Sequence, residues 1–243
     1  MTDPGESLLR SVGNAGLGEA VGDLFEIGLD RVMAEGIARD LPIVGSLIGL
    51  AKAGIGARDY LFFKKVARFL SQVSGVSPEQ RREFVDSMSS SEFDRAAQHL
   101  LLYLERLDSL EKADWLGKAY RAFMLNEIDL RKLQYFTHYL DRVFILVLAD
   151  YHESLVKRSE GKQSPIHLDD ARALQAVGFY EEKLVGTPQL SSDRMQVNIS
   201  GVRSELELSD AGWDFIRVVF GLFGDDDDAR HWLSVSVEGT LGY

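Results

Sequence analysis

The stretch "LPIVGSLIGLAKAGIGARDYLFFKK" (residues 41–65) decides how this chain is read. If it enters a bilayer, the protein is organised around a membrane. If it is core, the protein is a globular helical one. Residues 41–57 hold one charge, Lys52, and one proline, Pro42. A helix that spans a bilayer needs about 17–25 apolar residues, so this run sits at the lower limit. Its glycines and its lysine make it poorer still. Gly45-x-x-x-Gly49 has the spacing that lets two helices approach closely, and Gly54 and Gly56 extend the small-residue pattern. Directly after it, Arg58, Lys64, Lys65 and Arg68 stand among Tyr60, Leu61, Phe62, Phe63, Val66, Phe69 and Leu70. An apolar face with bases and aromatics is what lies in a membrane interface. Each base near an anionic surface contributes on the order of 1 kcal/mol. The same glycines also serve a tightly packed core, with Lys64 and Lys65 paired to acids of residues 19–40. Three readings therefore stand: a core segment, a membrane contact, and a seat for a partner's helix.

Charge singles out the same region. The formal net charge of the 243-residue chain is −11. Residues 1–40 hold eight acids and three bases, −5, whereas residues 41–82 hold seven bases and two acids, +5. The basic block is thus confined to one place in an acidic chain. The acidic segment before it is placed to cover that face in a resting state. The opening residues lack a basic run followed by an apolar one, so no secretion signal is expected. The absence of cysteine excludes disulfides, thiolate metal sites and cysteine nucleophiles. A cytoplasmic protein, peripheral at the inner membrane if the basic face binds lipid, is the expectation.

Outward from this stretch the pattern is helical. Residues 19–40 read as a loose amphipathic helix that Leu41-Pro42 stops. One helix is predicted over 59–73, and Ser77-Pro78 opens the next. Phe93, Ala96, Ala97, Leu100, Leu101, Leu104 and Leu107 recur on one helical face. A fourth helix is predicted over 110–125, with Ala113, Leu116, Tyr120 and Phe123 inward. A fifth, capped by Asp129, runs to Tyr151, and its "VFILVLA" (143–149) predicts a fully buried central helix. Short loops predict an antiparallel helical bundle over 41–157.

The polar stretch "KRSEGKQSP" (157–165) predicts a linker over 158–163. Beyond it the period changes. A helix to about Val177 ends at Gly178, "FYEEKLV" (179–185) reads as a strand, and "RMQVNI" and "VRSELEL" flank Ser200-Gly201 as a hairpin. Ser209 caps a further helix, and "LSVSVEG" alternates as a strand. Through "ALQAVGFYEE", the hairpin and "LELSDAGWDFI", residues 164–222 resemble a winged-helix domain. The resemblance implies a small α/β module over 164–243 and makes Arg172, Arg194 and Arg203 the candidate contact residues. The whole chain is also similar to bacterial proteins that share an "LPIVGS…RDYLFFKK" stretch, a resemblance that implies no activity.

Charge opposes DNA as the module's partner. Residues 160–243 hold fifteen acids and seven bases, −8, whereas phosphate contacts need clustered Lys and Arg. The five histidines show no metal-binding spacing. "GDDDDAR" (224–230) lacks the alternating ligands and closing glutamate of a calcium loop. No phosphate loop or nucleophile elbow is present, and "GNAGLG" (13–18) fits a dinucleotide fingerprint only in part. No catalytic residue, cofactor, metal or small-molecule substrate is expected. The expected protein is mainly α, a helical bundle followed by a winged-helix-like module. It acts as a non-enzymatic interaction protein through Gly45, Gly49, Lys52, Arg58, Phe62, Phe63, Lys64, Lys65 and Arg68. The partner is a protein, a second copy or an anionic membrane, and an effector role in a bacterial conflict system is compatible with this. The alternatives are a winged-helix regulator on DNA and a structural assembly subunit.

Overall fold

The computed structural model describes residues 3–21, 41–44, 57–185, 189–190, 197–198, 203–224, 226 and 228–237. The fold is mainly helical, with a small three-stranded antiparallel sheet. The chain divides into two compact units, residues 1–141 and 142–243. The polar stretch 158–163, read from sequence as a linker, lies inside the second unit. There Arg158 donates from Nε to the Ser164 carbonyl (2.7 Å) and from Nη1 to the Trp232 carbonyl (2.6 Å).

In the first unit, α1 is Pro4–Val12, started by Asp3, whose carboxylate accepts from the Gly5 (2.8 Å) and Glu6 (3.2 Å) amides. α2 is Ala57–Val73 and α3 is Pro78–Asp86, capped by Ser77. α4, Ser90–Arg106, opens with a reciprocal capping box between Ser89 and Glu92. α5 is Leu110–Met124, capped by Ser109, and α6 is Leu130–Arg142. α1 packs on α4 and α2 packs on α5.

The beginning of the stretch 41–65 is core. Leu41, Ile43 and Val44 are buried, and the Ile43 amide donates to Ser11 Oγ (3.0 Å). Ser11 in turn donates to the Ser7 carbonyl (2.8 Å), so a buried hydroxyl ties this turn to α1 with both its roles used.

The second unit begins with α7, Ile145–Ser159, and α8, Leu168–Gln175. The helix predicted over 129–151 is interrupted here. α6 stops at Arg142, and Phe144 takes an extended conformation ahead of α7. "VFILVLA" is not fully buried: Val143 and Leu148 are inward, but Phe144 is 60% and Leu146 is 61% exposed. The run lies at the start of the second unit.

β1 (Tyr180–Val185) pairs antiparallel with β4 (Arg203–Leu208), Tyr180 opposite Leu208, and β4 pairs with β5 (Val235–Val237). β2 (Gln189–Leu190) pairs separately with β3 (Val197–Asn198). The hairpin predicted across Ser200-Gly201 is therefore replaced by two nested pairings. Leu206 and Leu208 are both buried, and pairing with β1 sets Leu208 opposite the buried Tyr180. α9, Asp210–Phe215, runs into a π-helical turn, Ile216–Phe220, ended by Gly221 at φ +70. α10 is the short Asp228–His231.

A buried hydroxyl chain joins these elements. Tyr180 donates to the Leu233 carbonyl (3.2 Å), so Tyr151, 2.7 Å from Tyr180, is the donor of their mutual bond. Burial pushes both phenols above their usual range. Tyr180→Phe removes the middle of the chain and leaves the Tyr151 hydroxyl and the Leu233 carbonyl without it. A loss of about 1–3 kcal/mol is expected from denaturant unfolding, where Tyr151→Phe removes only one bond and costs less.

Candidate interaction surface

α2 has two unlike sides. Phe63, Val66, Ala67, Phe69, Leu70 and Val73 are buried, at the i, i+3, i+4, i+7 spacing of one helical face. That side lies on α5 so closely that a Cβ added at Gly117 would fall 2.7 Å from both Gln72 Cβ and the Phe69 carbonyl oxygen. Phe69 meets Tyr120 edge-to-face at 5.3 Å. Gln72 donates to Asp114 (2.9 Å) at the margin.

The other side presents Tyr60, Leu61, Lys64 and Arg68 to solvent. At about 100° per residue these four fall within an arc of about 100°. Leu61 is 51% exposed, and the Lys64 ammonium lies 4.6 Å from the centre of the Tyr60 ring. This is a cation–π contact at an open surface.

Two neighbouring bases are used by the fold. Lys65 donates to the Glu105 carbonyl (3.1 Å) and to the Leu107 carbonyl, closing the C-terminal end of α4. Desolvation lowers its pKa, while Asp108 and Glu105 oppose that shift. Arg58 pairs with the Glu105 carboxylate from the edge of the exposed side. Lys65 is held by α4 and its following loop, and the predicted pairing of Lys64 and Lys65 with acids of 19–40 falls largely on residues outside those described. Phe63, a candidate contact residue, faces the core at 7% exposure, and Phe62 is half-buried. Gly45, Gly49 and Lys52 lie outside the described residues, as do residues 22–40. Tyr60 and Leu61 complete the exposed face, although the sequence offered them only as neighbours of the bases. Their signal was the phase of the helix, since they stand opposite Phe69 and Leu70.

The candidate contacts of the second unit are differently placed. Arg172 on α8 bonds the Gln175 side chain (2.7 Å) and the Glu182 carboxylate on β1 (3.0 Å). Gln175 also donates to Glu182 (3.2 Å). Bonds from Ser204, Arg172 and Gln175 hold the Glu182 carboxyl down to about 2. Arg172 thus serves to fasten α8 to the sheet. Arg203 opens β4 opposite Val185, and Arg194 lies outside the described residues.

Among the described residues no helix is long and apolar enough to cross a membrane, and no cluster of acidic or histidine side chains is arranged to hold a metal ion. Comparison of the chain with protein-family models, curated proteins and solved structures finds no match.

Proposed function

We propose that this chain is a non-enzymatic interaction protein that binds an anionic membrane surface through the outward side of α2. The observation that supports it is the exposed arc of Tyr60, Leu61, Lys64 and Arg68. Two bases, an aromatic ring and an aliphatic side chain share one face of a helix whose opposite face is anchored in a core. The bases attract lipid phosphates and carboxylates, at on the order of 1 kcal/mol each. Tyr60 and Leu61 supply the apolar contact that an interfacial helix inserts at headgroup depth. A rigid foundation matters here, because a helix already folded loses less entropy on binding.

We read the first unit as an antiparallel bundle that displays this face. The second unit is a winged-helix-type module turned to protein contact. A helix, then strands in an antiparallel sheet, then a further helix is an element order that supports the module, although the pairing differs from the simple hairpin expected. Its −8 charge over 160–243 and the engagement of Arg172 by Glu182 favour protein over DNA.

Flotation of the full chain with phosphatidylserine-containing vesicles tests the reading. Binding is expected to phosphatidylserine and not to pure phosphatidylcholine. Lys64→Glu/Arg68→Glu is expected to weaken it at least about tenfold, because each substitution reverses a contribution of on the order of 1 kcal/mol. Binding should also weaken as salt rises. Retention of binding by the double variant, or no flotation with anionic vesicles, would overturn it and leave the face to a partner's helix.

A further inference from the structure

The two bases beside the exposed arc of α2 are held in different ways. Lys65 is half-buried and donates to main-chain carbonyls, those of Glu105 (3.1 Å) and Leu107. Such acceptors are fixed in the backbone, and Lys65 stays with them. Arg58 is bound instead to a side chain, the Glu105 carboxylate. That pair lies at the surface, with 82% of the Arg58 side chain and 45% of the Glu105 side chain exposed. At about 100° per residue, Arg58 stands about 60° beyond Leu61 and about 80° beyond Arg68 around the helix. Its guanidinium, on a long flexible stem, reaches either Glu105 or a surface laid against Tyr60, Leu61, Lys64 and Arg68.

Glu105 is not where α4 by itself would place an acid. It stands in the last turn of the helix, one residue before Arg106 ends it. The carbonyls of a last turn make that end negative and disfavour a carboxylate there, whereas Arg106 has the favoured sign. The stability of α4 therefore does not account for Glu105. What the carboxylate holds is Arg58, beside a Lys65 ammonium that Glu105 and Asp108 also attract.

We propose that Glu105 restrains the lipid-binding face of α2, tying Arg58 back from the anionic surface and setting a negative charge of its own at the margin. The inference rests on the lipid-binding reading of α2 and names the residue that limits it. An exposed ion pair is worth at most about fivefold in an equilibrium constant. A base near an anionic surface is worth about the same factor. Two partners thus compete for one guanidinium on nearly equal terms, and what Arg58 gains from lipid is largely offset by the pair it must break. Removing the carboxylate frees Arg58. Lys65 keeps its bonds to the carbonyls, so the end of α4 stays closed.

Flotation with phosphatidylserine-containing vesicles of four forms of the full chain tests this: wild type, Glu105→Gln, Arg58→Gln and the double variant. The pair is exposed and contributes little to stability, so all four are expected to melt alike. Glu105→Gln is expected to bind at least about fivefold tighter, the worth of one base at an anionic surface. Loss of a negative charge would by itself raise affinity, and the cycle separates that effect from release of Arg58. If charge alone acts, Arg58→Gln weakens binding by the same factor in both backgrounds. With Arg58 restrained, its loss costs at least about threefold more in the Glu105→Gln background than in the wild type, a coupling of the size that contacting residues show. Equal factors in the two backgrounds, or a Glu105→Gln chain that binds no tighter than a wild type that floats, would overturn the inference and leave the lipid reading standing. No flotation by any of the four would overturn the lipid reading and this inference with it.

Discussion

Arg81→Met is expected to destabilise the first unit by about 3–5 kcal/mol, a lowering of its melting temperature by about 10 °C or more. Arg81 is 1% exposed and meets carbonyls rather than a carboxylate. Its Nε donates to the Val12 carbonyl (2.9 Å) and its Nη2 to the Asn14 carbonyl (2.9 Å). Its Nη1 donates to the Val76 carbonyl and, more weakly, to that of Ser74 (3.4 Å). These acceptors sit just where α1 and α2 end, and helix ends leave carbonyls without intrahelical partners and with partial negative charge. One guanidinium on α3 thus closes two helix termini. Desolvation lowers its pKa and Glu79 opposes the shift, but the group stays protonated.

Methionine fills much of the same volume and supplies no donor, so the variant isolates the hydrogen bonds from the packing. Arg81→Lys should recover only part of the loss, because an ammonium lacks the planar fork that reaches both helix ends at once. Thermal melts followed by circular dichroism check this. A methionine variant that melts within about 2 °C of the wild type would show that the four contacts contribute little net stability.

Gly212→Ala is the second large effect, and its sign is the informative part. Within a helix, Ala normally stabilises over Gly by about 1 kcal/mol. Here an added Cβ would fall 2.3 Å from the Phe179 carbonyl oxygen and 3.1 Å from its ring. Retreat is blocked by a cluster of bonds that fastens the start of α9 to the start of β1. The Ser209 hydroxyl donates toward the Gly178 (2.8 Å) and Phe179 (3.1 Å) carbonyls and accepts from the Gly212 amide (3.0 Å). The Ser209 amide bonds Phe179 as well (3.0 Å). A methyl group must therefore push the helix off the strand and break the cap. A loss of about 3 kcal/mol is expected, at the upper end for overpacking. Equilibrium unfolding in urea would measure it, and an unchanged or raised midpoint would show that the contact relaxes freely.

Much of the helical architecture was legible because it is encoded locally. Ser77-Pro78 starts a helix through its own side chain, and the structure begins α3 there. The face of Ala97, Leu100 and Leu104 is buried as its spacing required. Gly178, at φ +81, takes the left-handed conformation that ends the α8 segment and that a side chain would resist. The break between Arg142 and Ile145 was not legible. Residues 142–145 contain no proline, glycine or capping side chain, and Phe144 makes no cap hydrogen bond. Pairing in the sheet was equally hidden, because "VRSELEL" alternates correctly whether it pairs with β3 or with β1.

The sequence alone determined the mainly helical character, several of the helix starts and the concentration of positive charge in residues 41–82. Those properties reside in neighbouring residues, through capping, periodicity and composition. Only the tertiary structure decided which bases remain at the surface. Lys64 and Lys65 are adjacent and chemically identical, yet one lies over Tyr60 in solvent and the other closes the end of α4. The packing of α2 on α5 sets the helix's rotation, and a rotation of about 100° per residue separates an exposed base from a structural one.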